Sequence, residues 1–334
     1  MRRALGFGVL FALVPCVSQV PTSHRQLNLV LPNGPGRIIV PAPGDFKWKS
    51  LVLYDGGTRP VFFMTNDETH LAVSYVLFPN TTHTASPKIC RDDVLDAAIR
   101  GASGVPGMAD VKQVKKEDRA PVNGNAFATG SFLVASFGDL KVMQQNLFGV
   151  FASPTACAEV HISKTPYSQE DQAAMTAQLQ SFQFDPNYVP VAADYFSVGS
   201  ILFNVTKSYD SAAYYYRRAL DTLPADATTT FKRVIVDQLA MSYGISGQLK
   251  KSRAVNEEAI KSDPDYPLYY YNLACADAEQ GKAADAKAHL QLAFDRRANV
   301  LEGEKLPDPT KDDSIMKLKK NKGFWAFVEA PPKN

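Results

Sequence analysis

The sequence predicts two folded parts in series: an α+β N-terminal domain, in which an antiparallel sheet is covered by two helices, and an all-α domain of superhelical repeats. Three observations predict it. Leu239-Ala240, Gly247 and Ala259 return as Leu273-Ala274, Gly281 and Ala293, a spacing of 34 residues that marks stacked helical hairpins. Upstream, runs rich in β-branched and aromatic residues alternate with turn sequences, as strands do. Between them, Asp185-Pro186-Asn187-Tyr188-Val189-Pro190 carries two prolines that interrupt regular structure.

The chain of 334 residues exceeds the ~150 typical of one domain, and 45% hydrophobic content is ample for a core. The expected organisation is a signal peptide over 1–18, the α+β sandwich over 27–185, a linker over 186–192, three helical hairpins over 193–298 and capping helices over 299–330. At the N-terminus, Arg2 and Arg3 precede an apolar run from Ala4 to Val14 and the small residues near Ser18. That is the pattern of a secretory signal, cleaved after Ser18 or Gln19. The run is shorter than the ~20 residues that cross a bilayer, so no integral membrane segment is expected after cleavage. Leu13-Val14-Pro15-Cys16 resembles a bacterial lipobox, with Pro15 departing from it, which leaves lipoprotein anchoring as an alternative. An extracytoplasmic location, periplasmic or secreted, follows from the signal.

The net charge of +2 is carried by Arg2 and Arg3, so the mature chain is balanced and no nucleic-acid surface is implied. The basic cluster Lys317, Lys319, Lys320 and Lys322 reads as a solvated face. Export permits disulfides. Cys90 and Cys157 lie in the same half and are expected to pair, while Cys275 sits on a repeat helix and is expected to be free.

In the first half, His70 to Phe78, Asn125 to Ala135, Leu140 to Ala152 and Cys157 to Lys164 read as strands. Asp55-Gly56-Gly57-Thr58 and Ser136-Phe137-Gly138-Asp139 read as hairpin turns, which favours antiparallel pairing. One helix is expected from Ser86-Pro87 and a second from Ser168, where Asp171 stands at capping-box spacing. The ending HISKTPYSQEDQAAMTAQLQSFQF is similar to the PsbP and Mog1 type of fold, in which the last helix is followed by a short return strand. That resemblance implies a binding or assembly module and assigns no functional residue.

From Ala193 onward the chain resembles the tetratricopeptide repeat (TPR) family. The residues that carry this are Leu239-Ala240, Tyr243, Ser252 and Pro264 in one unit, and Tyr270, Leu273-Ala274, Ala286 and Leu290 in the next. The first unit keeps Phe196, Ser200, Phe203, Ala212, Tyr216, Ala219 and Pro224. Asn256 and Asp277 depart from the pattern, standing where it has a large residue and a Tyr. In this family the first helix of each hairpin lines a concave groove that holds a protein or peptide. The resemblance therefore implies a partner-binding groove at Ile201, Asn204, Val234, Asp237, Met241, Leu268, Tyr271, Asn272 and Cys275. Of the set that clamps a peptide carboxylate in some members, Asn272 matches, Gln238 replaces the Asn of the preceding repeat, and the Lys and Arg are not evident. The occupant is then an apolar or helical peptide of a partner, or the protein's own N-terminal domain. Aromatics after Asn299, including Phe324, Trp325 and Phe327, are expected to close the last hairpin, with a partner-binding tail as the alternative.

No compact catalytic signature is present. Gly101-Ala102-Ser103-Gly104-Val105-Pro106-Gly107 follows a helix, whereas a dinucleotide loop opens one. Cys157, Glu159 and His161 share one face of a strand, a set that could ligate zinc or activate a nucleophile. The alternative, that they are the polar side of a core strand with Cys157 bridged, is preferred. The expected function is thus an exported, non-enzymatic adaptor without cofactor, metal or catalytic residue, using its groove. A module whose N-terminal domain does the recognition is the second reading, and a metal-dependent or hydrolytic enzyme the third.

Overall fold

The computed structural model describes residues 27–40, 47–54, 59–103, 109–122 and 125–330. The signal segment with Cys16, the turn at 55–58 and the stretch Gly104 to Gly107 lie outside these residues. The described chain divides into two compact units, one ending at Asp226 and the other running from Ala227 onward.

The first unit is built on ten strands, in chain order β1 (Leu27–Val30), β2 (Arg37–Val40), β3 (Lys47–Tyr54), β4 (Arg59–Asn66), β5 (Leu71–Pro79), β6 (Ala109–Val122), β7 (Asn125–Phe137), β8 (Leu140–Ala152), β9 (Ala156–Lys164) and β10 (Gln183–Asp185). They form a seven-stranded antiparallel sheet in the order β3-β4-β5-β9-β8-β7-β6 and a three-stranded one in the order β1-β2-β10. Gly138 adopts φ +55° in the turn between β7 and β8, where Phe137 pairs with Leu140. β9 is buried on both sides because the large sheet is covered on both sides. Helix α1 (Pro87–Ser103) covers one face, where Leu95 packs with Phe132 and Phe148. Helix α2 (Gln172–Gln180) covers the other, with Phe182 and Phe184 stacking on Phe151. At Gly149, on that second face, an added Cβ would strike Leu179 and lie 2.7 Å from the Phe127 ring. Only a residue without a side chain lets the helix come so close. The Ser168–Asp171 box forms as expected, with the Ser168 amide donating to Asp171 Oδ2 at 2.7 Å.

β6 has no counterpart in the sequence reading. Its segment ADVKQVKKEDRAPV alternates poorly because it is an edge strand, and 112–120 are exposed throughout. Charged residues on such an edge oppose pairing with another chain.

The helices that follow are α3 (Ala192–Asn204), α4 (Tyr209–Asp221), α5 (Thr229–Ile245), α6 (Leu249–Ser262), α7 (Pro267–Glu279), α8 (Ala283–Asp295), α9 (Asp313–Met316) and α10 (Lys322–Glu329). They pair as antiparallel hairpins α3–α4, α5–α6 and α7–α8. Gly247 and Gly281 take φ +80° and +73° just past α5 and α7. This left-handed turn brings the Gln248 amide to the Tyr243 carbonyl and the Lys282 amide to the Asp277 carbonyl, which ends each helix cleanly. Lys207 takes the same role after α3 at φ +56°. The echoed small residues Ala240, Ala259, Ala274 and Ala293 are all buried between helices, as close packing requires.

The first hairpin belongs to the unit with the sheets, whereas the sequence reading grouped it with the other two. Tyr215 donates to the Val30 carbonyl at 2.9 Å and Arg218 Nε to the Pro32 carbonyl at 2.7 Å. Asp194 is buried at the start of α3, accepting from Asn28 Nδ2 at 2.8 Å, the Tyr188 hydroxyl at 2.7 Å and the Val191 amide at 2.9 Å. These contacts carry α3–α4 as a third layer of the unit, and the segment 186–192 lies inside it.

Candidate functional site

The candidate site lies within the second unit, on the face shared by α5 and α7, which pack side by side. Val234, Asp237 and Met241 lie on α5, and Leu268, Tyr271, Asn272 and Cys275 on α7. Ile201 and Asn204 belong to the first unit. There Ile201 is buried and Asn204 returns its amide to the Ser200 carbonyl at 3.0 Å.

The face is not bare. Residues 300–318, which include α9, run along α7 in the same direction as the helix. Asn299 Nδ2 donates to the Asp265 carbonyl at 3.2 Å, and the Tyr266 hydroxyl reaches the Glu304 carboxylate at 2.8 Å. Further along, the Cys275 thiol points at both Asp312 oxygens at 3.7 Å, and Ser314 Oγ donates to Glu279 Oε1 at 2.8 Å. Lys317 completes the set on the other Glu279 oxygen. Asp312 also caps α9, accepting from the Ser314 and Ile315 amides at 3.0 Å each. Leu268 and Tyr271 are buried in consequence. The Tyr271 hydroxyl is enclosed beside the Asp312 carboxyl, within reach of its charge but without hydrogen-bond geometry.

Electrostatically the face is acid-rich. Asp237 is buried, its one anchored oxygen accepting from Asn272 Nδ2 at 2.8 Å. Burial, with Glu304 nearby, pushes its pKa up to about 7. Burial likewise raises the Asp312 carboxyl, the Cys275 thiol and the Tyr266 phenol above their ordinary values. The cation at this end is Arg233, which is committed to Asp263 through two bonds of 2.8 Å and lies over the Tyr266 ring at 4.9 Å. Asn272 is therefore an internal partner of Asp237.

Glu304, Asp312 and Tyr266 escaped the sequence reading. The capping helix expected from 299, with Val300, Leu301 and Leu306 on it, does not form over 300–312, because Gly303, Pro307 and Pro309 interrupt helical structure, and the irregular course left there gives no period to show where it lies. The closing aromatics behave as caps: α10 packs on α8, with Phe324 and Val328 buried and Phe327 5.8 Å from Phe294.

The Cys157, Glu159, His161 face is a packed one. Cys157 is bonded to Cys90, and Cys275 is free. His161 stacks on Phe148 at 4.2 Å and 1°, its Nε2 3.0 Å from Asn146 Oδ1, and burial lowers its pKa to about 4. Glu159 is buried beside it on the strand. Among the described residues no three His, Cys, Asp or Glu side chains are grouped to hold a metal ion, and no helix is long and apolar enough to cross a membrane.

No family model and no curated protein matches this chain. Among solved structures, it is similar to the Sgt2 TPR domain from Aspergillus fumigatus, at 22% identity and TM-score 0.31 over 44% of this chain and 88% of that one. It is also similar to the cyanobacterial PsbP (CyanoP) from Synechocystis sp. PCC 6803, at 12% identity and TM-score 0.33 over 44% and 85%. A structure from Bacteroides thetaiotaomicron VPI-5482 matches at 8% identity and TM-score 0.21 over 62% and 73%. At scores this low the likenesses carry no weight below.

Proposed function

We propose that the protein is an exported adaptor without chemistry of its own, which holds a segment of a partner protein on the α5–α7 face. One observation carries this reading. That face already holds an irregular segment, residues 300–318, through hydroxyl, thiol and carboxylate side chains placed along α7 and its N-cap. A surface of this kind recognises a peptide by side-chain contacts along its length. Export is supported by the signal-like N-terminus and by the Cys90–Cys157 bond, which persists in an oxidising compartment. The test places a photo-crosslinking amino acid at Met241, which is partly exposed on α5, and another at Lys250, which is exposed on α6. A protein crosslinked from Met241 and not from Lys250 is the expected result. Equal yields from both positions would discard the face as the binding surface.

A second reading gives recognition to the first unit. The docking of α3–α4 onto β1–β2 makes that unit a complete body with its own helical layer. In that case the crosslinked partner is recovered from positions on the first unit, and not from Met241.

A further inference from the structure

We infer that residues 300–318 are a displaceable strap, an internal stand-in for a partner segment that bears two carboxylates at the spacing of Glu304 and Asp312 in this turned conformation. The inference rests on the adaptor reading and specifies the partner of that face.

The chemistry of the strap's hold is the first argument. Its two acids meet neutral donors on α7, the Tyr266 hydroxyl and the Cys275 thiol, which read a carboxylate without the strength of a cation. The ion pair between strap and α7 is Lys317 with Glu279, and the lysine side chain is 56% exposed. Exposed pairs of this kind contribute little.

Burial gives the second. Within 300–318 only Pro309, Ile315 and Leu318 are buried, while residues on α7 beneath, such as Leu268 and Tyr271, are closed off by the neighbouring helices and the strap together. The strap thus contributes a small apolar anchor and is kept in place largely by its tether, which raises its local concentration. A free peptide with equal contacts competes poorly until the strap lets go.

Third, Asp237 lies under the path of the strap with Glu304 near it. The other groups facing it are Asn272, Tyr269 and Cys275 on α7 and Tyr266 at its N-cap, none of them cationic. Asp237 bonds to Asn272 rather than to the strap, so it adds no bond that holds the strap down.

The experiment uses the full chain and a fluorescein-labelled peptide of this chain's own residues 299–319. Fluorescence anisotropy compares wild type with Glu304→Ala/Ile315→Ala, and with the same variant carrying Tyr266→Phe. The expected result is a Kd at least tenfold lower for the loosened variant than for wild type, weakened severalfold by Tyr266→Phe. Equal affinity in all three would overturn it. Because the variant can disturb folding, hydrogen exchange on wild type is read alongside. The Ile315 and Leu318 amides are expected to exchange at least 100-fold faster than Leu273 and Ala274 in α7. Equal protection overturns the strap and leaves the adaptor reading to the Met241 crosslink. A missing crosslink beside a freely exchanging strap removes the adaptor reading instead.

Discussion

His289 Nδ1 lies 2.7 Å from Asp277 Oδ2, and Arg253 engages the other oxygen, so a fully buried acid on α7 is held by α8 on one side and α6 on the other. The pattern that the chain resembles has a Tyr at this position, and Asp277 departs from it. The structure instead joins three helices through one carboxylate.

Removing that carboxylate leaves a partly buried guanidinium and an imidazole without their partner. Asp277→Ala is expected to lower stability by about 3 kcal/mol, as breaking a buried ionic group does. His289→Ala should cost less, because Arg253 stays paired. Urea denaturation of both variants gives the comparison.

The two units should respond to pH in opposite directions. Asp237 is raised to about 7 from 3.8, so the folded second unit holds a proton that the unfolded chain releases. Its contribution is full at acid pH and is lost as pH rises toward and past 7. His161 is lowered to about 4 from 6.5, so the first unit is favoured above 6.5 and loses that contribution as pH falls. Each effect is on the order of a few kcal/mol at most. The chain has two tryptophans, Trp48 and Trp325, one in each unit. Unfolding followed in Trp48→Phe and Trp325→Phe variants from pH 4 to 8 reports the slopes separately, and Asp237→Asn should flatten the second one.

Reducing the Cys90–Cys157 bond opens a loop of 67 residues, which in the chain-entropy account costs about 4 kcal/mol. Thermal unfolding with and without reductant is expected to shift for the first unit and leave the second where it was. A shift of both together would show the units unfold as one.

Lys207 pays a conformational strain that Gly247 and Gly281 avoid, since all three turn through positive φ. Lys207→Gly is expected to stabilise the first unit by up to about 1 kcal/mol. The change is readable as a higher urea midpoint with an unchanged slope.

A fragment ending at Asp226 should fold cooperatively, and one ending at Pro190 should not reach the same stability. The shorter piece leaves the Val30 and Pro32 carbonyls without Tyr215 and Arg218. With the helices gone these carbonyls turn to water, so each lost bond costs about 0.5–1.5 kcal/mol, and the apolar cover over β1 is lost with it. Denaturation of the two fragments decides the boundary.

What the sequence made legible was whatever repeats or alternates. The spacing of Leu239-Ala240 and Leu273-Ala274, the turn glycines, the strands from Asn125 to Lys164 and the Cys90–Cys157 pair all follow from local pattern, and all are found. What escaped it depends on distant partners. Nothing in YDSAAYYYRRAL says that Tyr215 will find Val30, because the helix has the same amphipathic pattern whether it faces another hairpin or a sheet. The charged edge β6 lacks alternation for want of a covered face. The strap is irregular, so its seat on α7 is fixed by side-chain chemistry at Tyr266, Cys275 and Glu279 that periodicity does not register. Of the groove residues, those on α5 and α7 do share a face, but their present occupant lies farther along the same chain.

The bond from Tyr215 to Val30 spans 185 residues. During synthesis at roughly 5–20 residues per second, that separation is a wait of about 10–40 s. For that time β1 and β2, four residues each, are a hairpin too small to persist in water, lacking both β10 and the helices that will cover them. The earliest described strands are therefore among the last to be secured. In a growing chain, this end of the first unit is the part most in need of protection by a chaperone.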